Sequence, residues 1–160
     1  MWWRSILRCM SLIRACWEDN MSNSDNPRIG KEFQKHVHRV LSSYFGNTFT
    51  MEYPIEIGNP SKAHRFDIVS DDRKTVVECK CYTWTSTGNI PSAKMMGLNE
   101  AVFYMSYLPA ETLKIIVIRK SIHPTKSETL AEYYNRINGH LLSGIRILEI
   151  DDDGAMRWIR

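Results

Sequence analysis

RFDIVSDDRKTVVECKCY, residues 65–82, decides the fold. Two runs rich in β-branched and aromatic residues, His64 to Val69 and Thr75 to Tyr82, flank the polar link Asp71-Asp72-Arg73. Such residues suit a pleated surface and such a link turns the chain back, so the stretch is predicted to be a β-hairpin. Side chains alternate along a strand, which sets Glu78 and Lys80 on one face and Cys79 on the other. Asp67, on the preceding strand, is placed to neighbour Glu78 across the hairpin. Two carboxylates and one amine are thus expected on one surface. Burying a Glu and a Lys in an apolar strand is costly unless they serve a purpose.

Upstream, Ile29, Phe33, Val37, Val40, Leu41 and Tyr44 recur at helical spacing, and Gly46-Asn47 ends that helix. Phe49 to Ile57 reads as a strand with Phe49, Met51, Tyr53, Ile55 and Ile57 on one face, closed by the turn Gly58-Asn59-Pro60-Ser61. Downstream, Ser86 to Pro91 is loop, and Pro91 opens a second helix whose stripe is Met95, Leu98, Val102 and Met105. Lys114 to Arg119 holds a short apolar run typical of a buried strand. A third helix is expected over about Ser127 to Leu142, capped by Ser127, with Leu130, Tyr134, Ile137 and Leu141 on one side. Ile145 to Ile150 is a further strand, and Ala155 to Ile159 pairs with it across the Asp152-Asp153-Gly154 turn. This order predicts an α/β sandwich with a mixed sheet.

The 160-residue chain has the length of one domain. Its balance of 43% hydrophobic and 24% charged residues is that of an ordinary globular protein, and a net charge of +3 permits nucleic acid as a partner without requiring it. The domain is assigned to residues 27–160. Residues 1–26, Arg- and Trp-rich at first, read as a leader: a targeting or membrane-surface segment, or an extension upstream of a translation start at Met21. No apolar run reaches the roughly 18 residues that span a bilayer. Cys9, Cys16, Cys79 and Cys81 have neither zinc-site nor disulfide-framework spacing, so a reducing cytoplasm is the expected compartment.

Close carboxylates repel unless a cation or a proton sits between them. With oxygen ligands and no imidazole pair, the suitable ion is hard: Mg²⁺ or Mn²⁺, held by Asp67 and Glu78 with the backbone carbonyl of Cys79. Such an ion polarises a phosphoryl oxygen and lowers the pKa of a bound water. Lys80 is then placed to orient that water or offset charge growing on the phosphate. Tyr82, Trp84 and Lys94 are candidates for nucleic-acid contact, since aromatics near a basic residue stack bases; a hydrophobic plug beneath the loop is the competing reading for the aromatics.

The hairpin resembles that of the PD-(D/E)xK, or restriction-endonuclease-like, nuclease superfamily. Its motif is an Asp, a variable gap, then Glu or Asp, any residue, and Lys. Asp67, Glu78 and Lys80 match these positions, with Phe66 where the family often has Pro. Members often add an acid from the first core helix, and Glu32 in GKEFQKHV holds that place. The element order from Ile29 to Arg119 resembles the family core, αβββαβ, with a C-terminal helix and strands added. Acid-x-Lys occurs twice, but Asp72-Arg73-Lys74 lies in the predicted turn with no acidic strand before it. The resemblance implies a Mg²⁺-dependent endonuclease acting on nucleic acid, DNA first, and the small size suggests either a homodimer that cuts two strands or a catalytic domain lacking a separate reader. The alternative is a catalytically inactive domain of the same fold that binds nucleic acid or protein.

Overall fold

The computed structural model describes residues 26–160. The leader expected over residues 1–26, with Cys9 and Cys16, lies outside them except for Asn26, which already belongs to the first helix. The elements are α1 (Asn26–Phe45), β1 (Phe49–Ile57), β2 (Lys62–Ser70), β3 (Thr75–Lys80), α2 (Ser92–Ser106), β4 (Leu113–Arg119), α3 (Leu130–Asn138) with a 3₁₀ turn at Gly139–Leu141, β5 (Ile145–Ile150) and β6 (Met156–Trp158). The six strands form one sheet in the order β1-β2-β3-β4-β5-β6. β1, β2 and β3 are antiparallel neighbours, β3-β4-β5 run parallel, and β6 closes the far edge antiparallel to β5. The protein is α/β with a mixed sheet flanked by helices.

Two apolar layers hold the helices to the sheet. On one face Phe33, Val37 and Leu41 of α1 pack on Ile68, Val77, Ile115, Val117 and Leu148. On the other, Leu98, Ala101 and Met105 of α2 and Ala131 and Tyr134 of α3 cover Val76, Ile116, Ile118 and Ile147. β4 is buried over Lys114–Ile118, as a central parallel strand covered on both faces must be. Among the described residues no helix is long and apolar enough to cross a membrane.

Three expectations are corrected. First, β1 does not present its five apolar residues on one face: Phe49 and Met51 join the α1 layer, whereas Tyr53, Ile55 and Ile57 pack into the α2 layer. The cause is Glu52, whose φ of 55° lies in the left-handed region and breaks the alternation. β2 turns over at the same level, with Phe66 in the α2 layer and Ile68 in the α1 layer. The Phe49↔Ser70 to Ile57↔Lys62 ladder keeps one register throughout and misses only the step at which Glu52 would face Asp67. Second, α3 is capped by Thr129 rather than Ser127. The Thr129 side chain accepts from the Glu132 N–H, and Glu132 accepts from the Thr129 N–H at 2.7 Å, a capping box. Third, with α3 ending at Asn138, Ile137 and Leu141 are exposed while Leu130 and Tyr134 are buried.

One buried charge ties the far edge together. Glu149, only 1% exposed, accepts from Arg157 at 3.0 Å, and Arg157 also reaches Glu132 at 2.8 Å and Thr129 at 3.3 Å. Removing the guanidinium strands a carboxylate that cannot reach water. Arg157→Ala is therefore expected to cost about 2 kcal/mol, less than for a fully enclosed pair because Arg157 itself is half exposed. A lower midpoint in urea unfolding, with unchanged slope, is the readout.

Candidate active site

The break in β1 and β2 lies where a cleft of about 550 Å³ opens. α1 contributes Lys31 and Gln34, β1 Glu52, β2 Asp67, the end of β3 and the residues after it Cys79 to Tyr82, and the start of α2 Ala93 and Lys94. The β2-β3 ladder is recorded at Ile68↔Val77 and Val69↔Val76, and one further step in that register sets Asp67 opposite Glu78. There the side chains take over from the ladder. The Cys79 N–H donates to Asp67 Oδ2 at 2.7 Å.

Gln34 fixes the other side of Asp67. It is 3% exposed, and its Nε2 donates to the Asp67 carbonyl oxygen at 2.8 Å and to Asp67 Oδ1 at 3.2 Å. Lys80 Nζ lies 3.2 Å from Glu78 Oε2. The sequence thus brings Asp67, Glu78 and Lys80 together as expected, with Cys79 between them turned toward the α1 layer.

Electrostatics follow from burial. Glu78, 7% exposed, is raised to about 7 by loss of solvent and then by the neighbouring Asp67 charge, against the pull of Lys80. Burial also raises Asp67, although the Cys79 N–H and Lys80 favour its charged form. Lys80 loses solvent too, but Glu78, Tyr82 and Asp67 outweigh this and hold it above its ordinary value. These acids lack enough positive charge to ionise freely.

The other expected residues divide. Tyr82 and Lys94 line the cleft, and Tyr82 packs so closely on α2 that a Cβ at Gly97 would strike its hydroxyl. Trp84 does not reach the cleft. It is 8% exposed and packs edge-on against His123 and Tyr133, at 4.8 Å and 5.2 Å between ring centroids. A ring enclosed in this way cannot stack a base, so Trp84 is the plug beneath the loop. Glu32 does not join the site either: it points to solvent, paired with Lys35 at 2.9 Å, which lowers its pKa. Gln34 and Glu52 occupy the wall of the cleft instead.

Asp67 and Glu78 offer oxygen donors alone, the chemistry that suits a hard cation such as Mg²⁺ or Mn²⁺. Among the described residues no three His, Cys, Asp or Glu side chains converge as a ready-made ligand set. Mg²⁺ needs no such cage, since it keeps waters and binds through one or two carboxylates plus substrate phosphate. No protein-family model, no curated protein and no solved structure matches the chain.

Proposed function

We propose that the protein is a metal-dependent nuclease of the PD-(D/E)xK type, hydrolysing phosphodiester bonds in DNA. The observation that carries this reading is a pair of buried, mutually repelling carboxylates beside a cationic lysine: Asp67 and Lys80 line the cleft, and Glu78, itself not part of the lining, lies 3.2 Å from Lys80. Buried acids held near neutrality by lost solvent and a close charged partner cluster at functional sites. The strained Glu52 backbone at the same level supports the reading, because strain persists where structure over-determines it.

A bound Mg²⁺ would supply a Lewis acid for the phosphoryl oxygen and an acidified water. The chain supplies the rest. Asp67 and Glu78 hold the negative charge that attracts the cation, and Gln34 and the Cys79 N–H keep Asp67 in one orientation. Lys80, charged beside Glu78, faces the growing charge of the transition state. Lys94 and Tyr82 border the path of the phosphate backbone.

The test is incubation with supercoiled, linear, single-stranded and branched DNA, with Mg²⁺, with Mn²⁺ and with EDTA. Cleavage that requires the cation is the expected result. Cleavage that persists in EDTA would overturn the mechanism, and binding without cleavage of any form would favour the inactive binding domain.

A further inference from the structure

We propose that the outer face of α2 is the surface through which two copies of this chain pair, antiparallel and related by a two-fold axis. The proposal stands apart from the nuclease reading. α2 is apolar on both sides. Leu98, Ala101 and Met105 face the sheet. The opposite side carries Met96, Phe103 and Tyr107, which are 71%, 57% and 50% exposed. Lys94 and Glu100 are the only charged residues of the helix. A helix that is apolar all round belongs under cover on both sides, and exposed apolar patches of this kind mark interaction surfaces.

The patch is already ordered. The Phe103 and Tyr107 rings meet edge-on at 5.3 Å, Phe103 meets Tyr104 at 5.8 Å, and Tyr104 stacks on His64 of β2 at 3.8 Å. Side chains held by one another in this way lose little freedom when a partner covers them.

The order of residues identifies the partner. At 3.6 residues per turn, Ser92, Met96, Phe103 and Tyr107 fall within about 30° of one line along the helix, with Asn99 and Glu100 beside it. These positions are symmetric about the point between Asn99 and Glu100. An antiparallel copy centred there sets Met96 against Phe103 of the second copy and Ser92 against Tyr107 of the second copy. Each contact then occurs twice, as a two-fold axis demands. The bulky tyrosine meets a small serine, and the phenylalanine ring meets an adaptable methionine. On one side of the axis Asn99 faces its counterpart, an uncharged polar pair. On the other Glu100 faces its counterpart at the exposed rim, the one unfavourable contact.

The 15-residue helix is about 22 Å long. Two such faces bury on the order of 1,000 Å² in total, near the lower limit for specific association. A weak dimer is therefore expected, with a dissociation constant of about 10 μM. The cleft takes Ala93 and Lys94 from the start of α2, so an antiparallel pair leaves the two clefts at opposite ends.

The experiment is sedimentation velocity of the full chain at concentrations on both sides of that value, for wild type, Phe103→Lys, Met96→Glu, the double variant and Glu100→Gln. The wild type is expected to pass from monomer to dimer. Each single substitution at Met96 or Phe103 is expected to weaken pairing about tenfold or more, because a charge then faces an apolar side chain. The double variant is expected to pair more tightly than either single one, since the antiparallel register sets its two opposite charges against each other across the axis. Glu100→Gln is expected to tighten pairing about twofold by removing a like-charge contact. Neither gain can arise from misfolding. A wild type that stays monomeric throughout would overturn the proposal. So would a dimer that survives Phe103→Lys unchanged, or a double variant no tighter than the single ones.

Discussion

Asp67→Asn is expected to lower cation-dependent DNA cleavage about a thousandfold, the scale seen when a single transition-state charge contact is removed. The substitution is nearly isosteric. Its carbonyl oxygen can still accept the Cys79 N–H, now made to Asp67 Oδ2 at 2.7 Å. The new NH₂ meets the Gln34 amide, which donates to Oδ1 at 3.2 Å, and a donor facing a donor forces one amide to turn. What is lost in full is the negative charge. Lys80→Ala is expected to have a comparable effect for a different reason. It removes the cation 3.2 Å from Glu78 and leaves a buried carboxylate whose charged form Lys80 had favoured. Because the two residues serve one step, the double variant is expected to be little worse than either alone. Single-turnover cleavage of supercoiled DNA at saturating Mg²⁺ measures all three, with circular dichroism reporting the fold. A wild-type rate in either single variant would remove the proposed mechanism.

The hairpin that holds these residues was legible because its signals are local. β-branched runs, a polar turn and strict alternation together place Asp67, Glu78 and Lys80 before any tertiary contact is known. The rest of the site was not legible, for identifiable reasons. A helical stripe shows which side of α1 meets the core, but not which flanking residue meets Asp67. Glu32 and Gln34 border Phe33 on opposite sides, and only packing selects Gln34 for the wall of the cleft. An amide carries no charge to single it out in a sequence. The turn-over of β1 was equally silent, since glutamate, unlike glycine or asparagine, gives no warning of a positive φ. Trp84 followed the aromatic pattern of a base-stacking residue, and its partners His123 and Tyr133 lie 39 and 49 residues further on, beyond any local reading. The cap of α3 was different. Thr129-Leu130-Ala131-Glu132 is a capping-box sequence, whereas Ser127 is followed three residues later by Leu130, so the sequence itself carries the signal for Thr129.

The raised pKa of Glu78 makes a prediction that does not depend on any substrate. An acid ordinarily at 4.5 and held at about 7 in the folded state binds its proton more tightly folded than unfolded. Below pH 4.5 the group is neutral in both states and costs nothing. As pH rises from 4.5 to about 7, the unfolded chain ionises first, so stability falls across that window and levels off above it. The difference of about 2.5 units corresponds to about 3 kcal/mol, with the attraction of Lys80 already included. Glu78→Gln keeps the shape and cannot ionise. In EDTA it is expected to match the wild type near pH 4 and to exceed it by up to about 3 kcal/mol at pH 8, while cleaving no DNA. Urea unfolding of both proteins at intervals between pH 4 and pH 8 gives the curve directly. The acids lowered by ion pairs or hydrogen bonds, Glu32 and Glu128 among them, act in the opposite direction but are common to both proteins and cancel in the difference. Adding Mg²⁺ at pH 8 is expected to raise the stability of the wild type and to leave Glu78→Gln nearly unchanged, because the cation stabilises only the chain that carries the charge. A stability difference that is flat with pH would mean that Glu78 is ionised throughout beside Lys80, a structural ion pair and no more. The same glutamate would then give no reason to expect a cation at the cleft.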